Sequence, residues 1–108
     1  MEVDFENIFN QLKTGVAEIA KNAFKKRVSE ITLEGHKILT SIEENIKNWT
    51  ALMVDGDISK SDFEDLVLGQ KDLIEIAGLK QLGLSKIQAD QFKKDLLNLI
   101  INTVTAAV

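Results

Sequence analysis

Two short stretches and one histidine hold this chain's candidates for chemistry. Asp55-Gly56-Asp57-Ile58-Ser59-Lys60-Ser61-Asp62-Phe63 sets carboxylate and hydroxyl oxygens at alternating positions around a glycine. Hard cations such as calcium gather oxygen ligands of this kind, so Asp55, Asp57, Ser59 and Asp62 are the candidate metal ligands. Ser59 and Asp62 also have a purely architectural reading. They stand three apart just before an apolar run, the spacing of a capping box, with Ile58 and Phe63 at the staple positions. His36 is the single histidine, and Glu34 lies on a different face of any helix that carries both. The Glu-x-x-His pair of helical di-iron sites is absent, as are a phosphate-cradling Gly-Lys-Ser/Thr loop and a Ser-His-Asp set. With no cysteine, thiolate chemistry, disulfides and cysteine zinc sites are excluded. No cofactor and no catalytic role is expected.

The segment 55–62 resembles the second half of an EF-hand calcium loop. The resemblance implies Asp55, Asp57, Ser59 and Asp62 as ligands and Gly56 as the sharp turn. It covers these few residues only. Ala51 and Met53 would fall at the first and third ligand positions, which they cannot serve, and Asp62 stands where the family closes with a bidentate Glu. No second loop accompanies it. Leu82-Gly83-Leu84-Ser85 resembles the turn of a helix-hairpin-helix module, which approaches a DNA backbone through glycine amides. Here Ser85 replaces the second glycine. A helix-ending glycine followed by the capping box Ser85–Gln88 explains the same residues.

Charge argues against nucleic acid as a partner. The net charge is −4, whereas proteins that bind through phosphates carry a basic excess. The balance is uneven along the chain: residues 1–54 sum to −1, 55–75 to −5 and 76–108 to +2. Lys21, Lys25, Lys26 and Arg27 form the one basic cluster, suited to an anionic membrane surface or an acidic partner, including the 55–75 region of another copy. Elsewhere Glu43 with Lys47, Lys71 with Glu75, and Asp90 with Lys94 are spaced for modest surface pairing.

Helices must position all of these groups. The chain contains no proline, so caps set the boundaries. Asp4 is the first N-cap, and apolar residues at 5, 9, 12, 16, 19 and 23 form a heptad-like seam. The seam shifts by one through Phe24, Val28 and Ile31, then resumes through Gly35, Ile38, Ile42, Ile46, Trp49 and Met53. Ser29, Thr32 and Gly35 are poor helix formers, so the reading is one long helix over 5–53 bent near 29–36, or two nearly continuous helices with Thr32 as a cap. Unbroken, it would span roughly 70 Å. Asp55-Gly56-Asp57 is a turn. A third helix is expected over about 60–82, ended by Gly83, and a fourth from about 86 to the C-terminus. Pairing the second and third helices about the turn sets Trp49 near Phe63, and Gly35 opposite Ala77 and beside Gly78.

The fourth helix carries five apolar residues within 96–101, more than one contact face needs. Either it lies centrally in a bundle or its second side is buried by another chain. The composition is 44% apolar and 28% charged, that of an ordinary folded chain. No run of about 20 apolar residues is present to span a bilayer, and Met1-Glu2-Val3-Asp4 does not open a secretory signal.

The sequence therefore reads as all-α: a single domain over 1–108, a hairpin or bundle of three or four long amphipathic helices, completed by self-association. The expected function is a non-enzymatic interaction or scaffolding protein of the cytoplasm. Its partner would be itself, as a homodimer or higher oligomer, or another helical protein. Ile8, Leu12, Ile19, Leu96, Leu97, Ile100, Ile101 and Val104 are the expected contacts between copies. A calcium-binding module built on 55–62 and an amphipathic lipid-surface protein are the alternatives.

Overall fold

A computed structural model describes residues 4–108, so the reading of Met1-Glu2-Val3 lies outside the described residues. Five α-helices and one 3-10 turn make up the described residues: α1 (Phe5–Ala23), α2 (Val28–Val54), α3 (Lys60–Leu68), a 3-10 turn (Gly69–Asp72), α4 (Ala77–Gln81) and α5 (Lys86–Ala107). No strand is present among them.

The first caps behave as the sequence dictates. Asp4 accepts a hydrogen bond from the Asn7 backbone N–H at 3.2 Å, and Glu6 sits in the first turn of α1 where the helix dipole favours an acid. Of the α1 seam, Phe9, Leu12 and Val16 are buried, Phe5 and Ile19 half-buried and Ala23 exposed; Ile8 and Ala20, beside the seam, are buried as well.

What covers that seam differs from the sequence reading. α1 and α2 are neither one bent helix nor two continuous ones; they fold back into an antiparallel hairpin. Lys13 O lies 3.0 Å from His36 Nε2, and Gly35 stands against Val16. The reversal occupies residues 24–27, where Phe24 is extended (φ −131°) and Arg27 is left-handed (φ 57°). Leaving the helix lets Phe24 set its ring 6.1 Å from that of Phe92 on α5. The suspected weak stretch 29–36 is continuous helix. Thr32 caps nothing; its hydroxyl donates to Val28 O at 2.7 Å within the helix. The longest dimension of the molecule is consequently 42 Å, about the length of α2 alone.

α2 ends in a Schellman motif. Gly56 takes φ 81°, its N–H donates to Met53 O at 3.2 Å, and Asp57 N–H donates to Leu52 O at 2.9 Å. The third expected helix is broken. It becomes α3, the 3-10 turn and α4, with Gly69 at the first break and an irregular link over 73–76. Its buried positions explain the break. Phe63, Val67, Gln70 and Ile74 follow helical steps of three and four, but the next buried residue, Leu79, comes after a step of five. A straight helix would turn Leu79 away from the core. α4 also ends in a Schellman motif, with Gly83 at φ 97° and the N–H groups of Gly83 and Leu84 donating to Lys80 O and Leu79 O.

α5 begins at the expected capping box, with the Ser85 and Gln88 bonds at 2.9 and 3.1 Å. It is the central helix, packed on α1 along one side and on α3, the 3-10 turn and α4 on the others. Phe92, Leu96, Leu97, Ile100, Ile101 and Val104 are all buried. Of the two explanations for its apolar breadth, the central position within one bundle accounts for it.

Candidate functional site

Side chains first expected between copies serve the core of one chain. Ile8, Leu12, Leu96, Leu97, Ile100, Ile101 and Val104 are buried within it, and Ile19 is half-buried against the same cluster.

The 55–62 oxygens do not converge. Asp55 and Asp57 are exposed on the Schellman turn. Ser59 and Asp62 close the capping box on each other: the Ser59 N–H donates to Asp62 Oδ2 and the Asp62 N–H to Ser59 Oγ, both at 3.0 Å. The first of these bonds is the main reason the Asp62 carboxyl is held below its ordinary value of 3.8, with the Ser59 hydroxyl contributing next. No group of three or more His, Asp or Glu side chains is disposed to hold a metal among the described residues. His36 sits half-exposed at the α1–α2 seam against the Lys13 carbonyl, while Glu34 turns to Lys37 and Gly78. Glu34–Lys37, at 3.2 Å, is the single ion pair among the described residues; the spaced pairs Glu43–Lys47, Lys71–Glu75 and Asp90–Lys94 do not close.

Two motifs far apart in sequence do meet. The α1–α2 turn at 24–27 and the α4–α5 turn at 82–84 form the walls of one open cleft of about 620 Å³. Its lining includes Phe24, Ile31, Leu82 and Leu84 as apolar groups, Lys25, Lys26 and Arg27 as cations, and Gln81 and Gln88 as neutral donors and acceptors. Arg27 Nη1 reaches Leu82 O at 3.4 Å and ties the walls together. Phe24, held by Phe92, and Ile31, fully buried, anchor the lining to the core. The turn amides are already spent: Gly83 and Leu84 donate to α4 and Ser85 to Gln88. The turn thus lacks the free N–H groups by which a helix-hairpin-helix module grips phosphate, and recognition in the cleft falls to side-chain cations and the apolar lining.

The other end of the bundle has the opposite charge. α1 begins there, α2 ends there, and Asp4, Glu6, Asp55, Asp57, Glu64 and Asp65 are exposed around it. Running back from that end, α3 carries the exposed Glu64, Asp65 and Leu66, followed by Leu73, which is 72% accessible; Leu68 and Asp72 instead line a separate groove with Lys71, Lys93 and Lys94.

Sequence reasoning found the cations and the 82–85 turn separately, and missed that they share a cleft. The available signal was the one-residue shift of the apolar seam at Phe24, which marks the reversal.

Compared with known protein families, curated proteins and solved structures, the chain matches none.

No helix among the described residues is long and apolar enough to cross a membrane.

Proposed function

We propose that this chain is a non-enzymatic helical interaction protein that associates with copies of itself. The observation that carries the reading is the segregation of charge on one folded chain: a cationic cleft at one end of the bundle, an acidic surface at the other. Surfaces of opposite sign steer encounter and fix orientation between partners, and here a single chain supplies both. Scaffolding is the role that follows, with another helical protein bearing a similar acidic face as a further partner. A cytoplasmic setting goes with it.

Light scattering over a wide range of chain concentration tests this. Masses that climb above that of one chain, and fall back as salt is raised to about 1 M, support it. A single-chain mass at every concentration sinks it.

The cations also favour a second reading, an anionic lipid surface met through Lys21, Lys25, Lys26 and Arg27. Vesicles rich in phosphatidylserine test it by co-sedimentation. Binding lost on replacing Lys25 and Lys26 with alanine supports it, and equal binding to neutral vesicles counts against it.

A further inference from the structure

We infer that the cleft between the 24–27 and 82–84 turns receives the acidic, leucine-bearing face of α3 from a second copy of this chain. The inference rests on the self-association reading and names its two surfaces.

The cleft combines two chemistries. Lys25, Lys26 and Arg27 supply side-chain cations, and Phe24, Leu82 and Leu84 supply apolar lining. A bare anion would use only the first and a greasy segment only the second. The partner that satisfies both is a convex surface carrying acids and exposed apolar side chains together. The exposed side of α3 outside the groove that holds Lys71, Lys93 and Lys94 is such a surface, with Glu64 and Asp65 near the exposed Leu66 and Leu73.

The two surfaces are different patches of the same chain, so the contact is heterologous. A copy that fills a neighbour's cleft still has its own cleft to be filled, by that neighbour or by a third copy. Such contacts extend into chains or close into rings, a two-fold pair with both clefts filled being the smallest ring.

Charge reversal separates this contact from any other mode of association. One variant carries Lys25→Glu and Lys26→Glu, the other Glu64→Lys and Asp65→Lys. All four residues are exposed, and thermal unfolding of each variant is the control for folding. Each variant alone is expected to lose association by about tenfold or more, since one of its two surfaces now repels. Mixed, they are expected to regain association, because the cationic cleft of one meets the acidic α3 of the other and the two reversed surfaces are again opposite in sign. A third variant, Leu73→Ser, leaves every charge in place and is expected to weaken wild-type association. If the wild type associates and the reversed variants associate as well as it does, the inference falls and self-association stands. If the wild type is a single chain throughout, both fall. A mixture that stays unassociated while the wild type assembles also overturns the pairing.

Discussion

Gly35 of α2 lies directly against Val16 of α1, so close that a Cβ at position 35 would overlap the valine Cγ1 and stand 3.1 Å from Cζ of Phe92. Three helices converge at this point, and the missing side chain is what lets them. Val16 is fully buried and β-branched, so it has little freedom to turn aside. Replacing Gly35 with alanine gains up to about 1 kcal/mol of helix propensity, yet the overpacking costs about 1–3 kcal/mol. Gly35→Ala is therefore expected to lower the urea midpoint. Gly78 provides the contrast. A Cβ there meets only the carboxylate end of Glu34, a half-exposed and flexible side chain. Gly78→Ala is expected to leave the midpoint unchanged or raise it slightly.

Ile100 and Leu96 decide whether α5 is a core helix or an interface helix. Both have no accessible surface within one chain. Truncating either to alanine should cost about 2–5 kcal/mol, by lost burial plus the cavity left behind. The loss should be independent of chain concentration. A loss that vanishes at high concentration would show these side chains packing between copies instead.

The helical character of the chain was legible because every strong local signal agreed with it. The caps at Asp4, Ser59 and Ser85 and the helix-ending Gly56 and Gly83 all stand where the spacing put them. The hairpin at 24–27 was not legible because it has no proline or glycine. It depends on Arg27 taking a left-handed conformation, which arginine adopts only when tertiary contacts favour it. The same blindness affected the glycines. Register alone pairs Gly35 with α4; packing sets it against α1 and α5, while Glu34, one residue earlier, takes the place beside Gly78. The cleft followed the hairpin: Lys25, Lys26 and Arg27 were visible as cations, but their partner wall at Leu82–Leu84 depends on a fold-back that periodicity does not encode.

Calcium is expected to leave the melting temperature unchanged up to millimolar concentration. Of the four oxygen-bearing residues proposed from spacing, Ser59 and Asp62 are engaged with each other's backbone N–H groups, and Asp55 and Asp57 are exposed on the turn. A cation binding the folded form would raise stability in proportion to the logarithm of its concentration. Scanning calorimetry with calcium, against the same salt of magnesium, reads this directly. A calcium-specific rise abolished by Asp57→Ala would restore the metal reading.

Asp62 also sets an expectation for acid. Its carboxyl titrates below 3.8 in the folded chain because the ionised form accepts the Ser59 N–H. A group whose folded pKa lies below its unfolded one stabilises the fold above the unfolded value. That stabilisation drains away as pH falls through the folded value. The contribution of Asp62 is therefore complete at neutral pH and fades from 3.8 downward. Asp62→Asn removes the titration while keeping an oxygen able to accept the N–H. The variant should melt below the wild type at neutral pH, with the gap closing as pH drops to about 2. Measuring both melting temperatures across that range isolates the cap, because every other acid is common to the two chains. A gap that stays constant down to the lowest pH would mean that the charge on Asp62 contributes nothing to the cap, and that its geometry alone holds α3 in place.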